Sequence, residues 1–175
     1  MKNINIKFIG IACLVLMASM KSYSQISKAD IIATGLTCSM CSNAINKQLK
    51  AMTEVDSVST DLNTNTFTVY LKENNSISPK TLKTSVEKAG FFVGSMVLTM
   101  AFDNLKIEDN LALKKGQHTF IFVDVKAKTM NGETKLKVVD KGFVTQKEYK
   151  KTLKTLSKYP SYLVENENNF HLKTI

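Results

Sequence analysis

Gly35-Leu36-Thr37-Cys38-Ser39-Met40-Cys41 is the stretch on which the fold turns. Before it, Ala29-Asp30-Ile31-Ile32-Ala33-Thr34 is mixed in polarity but β-branched, and reads as a strand. After it, apolar residues fall at Cys41, Ala44, Ile45, Leu49 and Met52, with Gln48 the polar exception. Asn43, Asn46, Lys47 and Lys50 lie on the other face, which is helix spacing. The two cysteines thus sit at a strand-to-helix junction, Cys38 in the loop and Cys41 in the first helical turn.

That placement has chemical consequences. The exposed amides and positive end of a helix favour thiolate over thiol at Cys41. The x-x spacing lets both sulfurs converge on one small ion. Thiolates are soft ligands and select Cu(I), with Zn(II) and Hg(II) as competitors. Two ligands leave an open site that can accept a third sulfur from a donor or acceptor protein and pass the ion on. A closed four-ligand zinc site cannot easily do this. Two other readings of the pair stay open. One is a thiol-disulfide redox protein, although the aromatic that often flanks such pairs is absent. The other is a metal-sensing interaction module that acts through the C-terminal half.

Working outward, Val55–Asp61 alternates in polarity, Asn63-Thr64-Asn65 supplies a turn, and Phe67, Val69 and Leu71 alternate after it, so the spacing predicts a hairpin. Ser78-Pro79 is an N-cap followed by proline at the first helical position. Leu82, Val86 and Ala89 form that helix's stripe, and Gly90 ends it. Phe91–Met100 reads as a last strand. The order β-α-β-β-α-β is the ferredoxin-like pattern, with two helices on one face of a four-stranded sheet and the other face wet.

These residues resemble a family. The loop 35–41 is similar to the G-M-T-C-x-x-C loop of heavy-metal-associated domains, found in copper chaperones, metal-pumping ATPases and the periplasmic mercury-binding protein. Val86-Glu87-Lys88-Ala89-Gly90-Phe91 looks like the family's segment before its last strand, where the residue after the glycine lies near the metal. The likeness runs from about Ala29 to Met100. It implies the ferredoxin-like fold, thiolate ligation by Cys38 and Cys41, and metal trafficking without catalysis. Leu36 replaces the family's usual Met, a volume-conserving change in a residue that packs rather than ligates. Thr37 stands where zinc-handling relatives often carry Asp.

Beyond Met100 the resemblance ends, and the expected architecture is α+β throughout. A domain over 25–101 precedes a small β-rich domain over 102–175. Residues 103–115 read as a linker with a short strand near Leu105–Ile107. His118–Ala127 is apolar on both faces, with Phe120 and Phe122 on one and Ile121, Val123 and Val125 on the other. Asn131-Gly132 is a hairpin signal leading into 135–141. Thr145-Gln146-Lys147-Glu148 forms a capping box. The helix that follows carries Tyr149, Leu153 and Leu156 inward, and Pro160 stops it. Residues 162–164 and 170–175 read as a closing hairpin, giving either an OB-type barrel or an open α+β sandwich.

The N-terminus reads as a secretory signal peptide over residues 1–24. Lys2 and Lys7 precede an apolar run from Phe8 to Met20, and Ser22-Tyr23-Ser24 gives an A-x-A-like cleavage pattern. The expected location is therefore periplasmic or secreted. Lipidation at Cys13 is the lesser alternative, because Gly10 stands where such sites usually want Leu. The apolar run is too short to span a bilayer. The formal charge of +9 falls to +6 without Lys2, Lys7 and Lys21. Every cation is Lys and none is Arg, which argues against sequence-specific nucleic-acid binding. After export only Cys38 and Cys41 remain, too close together to staple a domain. Met40 reads as packing or incidental. Phe91 is core or site lid, and His118 and His171 are structural. No catalytic constellation and no phosphate loop is visible, and the chain is read as no enzyme.

Overall fold

The computed structural model describes residues 26–36 and 39–175. The expected leader with Cys13, together with Thr37 and Cys38, lies outside the described residues. In chain order the elements are β1 (Ile26–Thr34), α1 (Ser39–Lys50), β2 (Val55–Asp61), β3 (Thr66–Leu71), α2 (Pro79–Lys88) and β4 (Phe92–Ile107). Then follow β5 (Ala112–Lys115), β6 (His118–Phe122), β7 (Lys128–Val138), α3 (Gln146–Leu156), α4 (Pro160–Leu163) and β8 (Asn169–Thr174).

The first half is the expected ferredoxin-like unit, with strands in the order β2-β3-β1-β4 and every pair antiparallel. Register explains its core. Ile31 pairs with Phe67 on one side and Met96 on the other, and Ala29 pairs with Val69 and Leu98. One sheet face is therefore apolar. Ile45 and Leu49 of α1 and Leu82 and Val86 of α2 close over it, and all are fully buried. Each such side chain contributes roughly 1.5–3 kcal/mol relative to exposure. On the opposite face Thr68 donates to the Asp30 carboxylate at 2.8 Å, and Ile32 and Tyr70 remain exposed.

The second half departs from the expected order. β4 does not stop at Met100 but continues to Ile107, so the boundary placed between 101 and 102 falls inside a strand. Its polar residues mark a bulge rather than a linker. Phe102 pairs with Gly132, the next pair is Leu105 with Met130, and Asn104 takes a φ of +49°. Asn131-Gly132 is likewise no hairpin. Gly132 has a φ of +74° while Asn131 does not adopt positive φ, and a type I′ turn needs both. The dipeptide lies inside β7, opposite the bulge.

β6 and β7 do not pair with each other. β8 lies between them, parallel to β6 and antiparallel to β7. Residues 162–164 form no strand, because Pro160 both ends α3 and opens the single turn α4. The OB-type barrel with its closing hairpin is thus replaced by one open sheet, β2-β3-β1-β4-β7-β8-β6-β5. Of the capping box, Thr145 accepts from the Glu148 amide at 3.2 Å, while the Glu148 carboxylate takes Lys137 instead.

One apolar layer runs the length of this sheet, from Val58 of β2 to Phe120 of β6. The sheet is strongly coiled. Phe102 of β4 and Phe122 of β6 are separated by two strands, about 14 Å across a flat sheet, yet their ring centroids are 6.4 Å apart. On the other face, α3 and α4 cover Ile121, Val123 and Val139 with Leu156, Tyr159 and Tyr162. β6 is thus apolar on both faces as its sequence demands. Val125, beyond the strand, packs with the Phe120 layer and not with Ile121 and Val123 as expected, because Asp124 turns the chain at a φ of +54°.

Candidate metal centre

Two connections meet at one end of the first half. Thr34, the last residue of β1, pairs with Phe92, the first of β4, and its hydroxyl donates to the Phe92 carbonyl at 3.3 Å. The β1–α1 loop and the α2–β4 connection are therefore neighbours. Gly35 opens the first with a φ of +89°, a conformation that costs other residues. Leu36 is partly buried against the core, as a packing residue should be. Cys41 follows in the first turn of α1, partly buried, and Met40 beside it is 81% exposed.

The second connection is a Schellman motif. Phe91 donates its amide to the Val86 carbonyl at 3.3 Å, and Gly90, at a φ of +89°, donates to Glu87 at 2.9 Å. This fixes where Phe91 goes. Its side chain packs on the core, and its Cδ1 lies 3.9 Å from where a Cβ on Gly35 would stand. Of the two alternatives for Phe91, core and lid, the structure shows the core role, with the ring also lying beside Gly35. Leu36 from below and Phe91 from the side hold the chain at Gly35, and the free first-turn amides of α1 favour thiolate at Cys41.

The two histidines lie elsewhere, in the second half. His118 packs edge-on against Phe170 at 5.8 Å. His171 is 2% exposed, with Nδ1 2.6 Å from Asp140 and Nε2 3.0 Å from the Ser161 hydroxyl. Sequence reading found no Ser-His-Asp arrangement, yet folding assembles one from three separated segments. Asp140 also accepts the His171 backbone amide at 2.6 Å, the Tyr162 ring lies edge-on to the imidazole at 5.1 Å, and Tyr162 donates to the Val139 carbonyl at 2.6 Å. Burial raises the Tyr162 phenol well above its ordinary range. The network satisfies polar groups where α4 meets the sheet, with the imidazole itself almost fully buried. Among the described residues no three His, Cys, Asp or Glu side chains form a metal-binding group, and no helix is long and apolar enough to cross a membrane.

The sequence model for heavy-metal-associated domains matches residues 31–92. Three solved structures are among those similar to the chain. The yeast copper transporter domain CCC2A, described in apo and Cu(I)-loaded states, is 33% identical over 37% of this chain and 86% of its own, with a TM-score of 0.34. A copper-binding domain from HMA7, a P-type ATPase, is 31% identical over 37% and 85%, with a TM-score of 0.34. The Atx1-Cu(I)-Ccc2a complex supplies a chain 33% identical over 37% and 86%, with a TM-score of 0.33. Comparison with curated proteins finds no match. The matched segment runs from Ile31 in β1 through the Cys-x-x-Cys stretch, both covering helices and the β2–β3 pair to the first residue of β4, and this segment of the chain is a heavy-metal-associated domain, the remainder being unassigned.

Proposed function

We propose that this is an exported Cu(I)-binding protein that holds one ion between Cys38 and Cys41 and passes it to a partner protein. The observation that carries the reading is the Gly-Leu-Thr-Cys-x-x-Cys stretch at the β1–α1 junction of a family domain, with Cys41 in the first helical turn. Two thiolates nearly satisfy Cu(I), whereas zinc wants about four ligands of mixed type. Thr37, before the first cysteine, offers no carboxylate to make up the difference. The same softness lets Hg(II) bind there too. The low coordination number leaves space for a third sulfur, so that a donor or acceptor can form a shared intermediate and the ion need never be free. The chemistry moves an ion and breaks no covalent bond, so the reading is of a carrier and not an enzyme.

Export is supported by the Lys2/Lys7, apolar run and Ser22-Tyr23-Ser24 order. Anaerobic titration of the reduced protein, followed by native mass spectrometry, tests the metal reading. One Cu(I) per chain with zinc unbound at equal concentration is expected, and preferential zinc loading would refute it. N-terminal sequencing of the exported protein should begin at Gln25. Intact Met1, or a lipid on Cys13, would remove the export claim.

A further inference from the structure

At the end of β1 away from the cysteines, a cavity of about 430 Å³ opens between the start of β1, the Asn75–Ile77 loop and the β5–β6 turn. Ile26 stands there and Thr34 at the metal end. Eight residue steps at about 3.3 Å each put the two ends roughly 26 Å apart, so this cavity is no part of the metal centre. Two of its lining residues are Lys115 and His118, directly opposite each other across the β5–β6 hairpin. Side chains in that relation lie on one sheet face with Cβ atoms about 5 Å apart.

Both reach buried positions without a partner. Lys115 Nζ and His118 Nδ1 are shielded from solvent and make no hydrogen bond among the described residues. Of the other polar residues on the lining, Gln117 sits at the exposed turn, while Asn75 and Ser76 are engaged elsewhere. Asn75 donates to the carbonyls of Ile26 and Lys72, and the Ser76 amide and hydroxyl both bond Glu54. Buried donors are ordinarily satisfied, and a buried ammonium calls for negative charge as well as an acceptor. Ile26, Ile77 and Phe120 give the same cavity an apolar wall.

We propose that this cavity binds a small organic monocarboxylate, its two oxygens received by Lys115 Nζ and His118 Nδ1 and its short apolar body by Ile26, Ile77 and Phe120. Two donors match the two oxygens of a carboxylate. Phosphate would bring further oxygens and charge against the apolar wall of Ile26, Ile77 and Phe120. The volume also exceeds what a bare carboxylate fills, so an apolar body is needed for good contact. Burial alone holds the Lys115 ammonium down to about 8, and a carboxylate against it reverses that shift.

The probe is hexanoate, titrated into the reduced full chain and followed by amide NMR. Saturable shifts at Ile26, Ile77, Gly116 and Phe120 are expected, with hexan-1-ol, acetate and inorganic phosphate each weaker by about tenfold or more. Lys115→Gln should weaken hexanoate by about tenfold and bring it level with hexanol, and Lys115→Arg should restore most of the affinity. The proposal is overturned if the pocket amides do not shift, if hexanol or phosphate binds as well as hexanoate, or if a folded Lys115→Gln protein binds hexanoate unchanged.

Discussion

Lys115 shows how a single residue can carry a stability cost that pH reveals. Its ammonium is shielded from solvent, and desolvation lowers its pKa from 10.5 to about 8. Below that value the folded chain carries an under-solvated charge that the unfolded chain solvates freely. Between about 8 and 10.5 the folded state has lost the proton and the unfolded state retains it, so the linkage makes stability rise with pH. Lys115→Met removes the group. In carboxylate-free buffer the variant should be more stable than wild type at neutral pH, by about 1 kcal/mol once partial exposure is discounted. Denaturant titrations across that window should show the gap closing, and a pH-independent gap would disprove the burial argument. The structural role of Ser161 is open to the same kind of check. Ser161→Ala leaves His171 Nε2 without its partner and should cost about 1 kcal/mol in chemical denaturation, and an unchanged midpoint would contradict that role.

Among the elements, the bulge shared by β4 and β7 makes the sharpest prediction. Asn131 is an ordinary strand residue in the fold, and Gly132 alone takes positive φ. Asn131→Thr should therefore be neutral or mildly stabilising, while Gly132→Ala should cost about 1 kcal/mol, from strain and not from a clash. A true Asn-Gly hairpin would instead penalise both, which thermal melts of the two variants would show. This dipeptide also shows where sequence ceased to be legible. Ser78-Pro79, the Leu82/Val86 stripe and Gly90 act locally, and the helix they predict is the helix that forms. The choice between a turn and a bulge at Asn131-Gly132 depends on Phe102, thirty residues away in sequence and paired across the sheet. The position of β8 between β6 and β7 is likewise a non-local pairing that no window of sequence contains. The strand end, Gly35 and the start of α1 around the cysteine stretch were legible for the opposite reason, since their signals are all local. The Ser161, His171 and Asp140 cluster left no such trace.

At the scale of the whole molecule, β4 joins the two halves. Its length pairs β1 on one side and β7 on the other, and the apolar layer passes through it without a break. The chain should therefore unfold in one cooperative transition, with near- and far-ultraviolet circular dichroism superimposing. A fragment beginning at residue 101 cuts β4 and exposes Phe102 and Ile107, and should not fold stably by itself. Two separated transitions would show that the halves are independent. The family domain supplies the thiol loop at one end, and the second half supplies the β5–β6 hairpin that walls the cavity at the other.

Competition for Cu(I) against a chelator, under anaerobic reducing conditions, is the most direct test of the thiol site. Wild type, Cys38→Ser and Cys41→Ser are compared with Met40→Leu as a control that leaves both thiols in place. Loss of either sulfur removes one of two ligands from a low-coordinate ion, so each serine variant should lose at least about a hundredfold in affinity. Met40→Leu should hold copper as wild type does. Unchanged Cu(I) affinity in either serine variant, or zinc displacing copper at equal concentration, would contradict the assignment of Cys38 and Cys41 as the metal-binding pair.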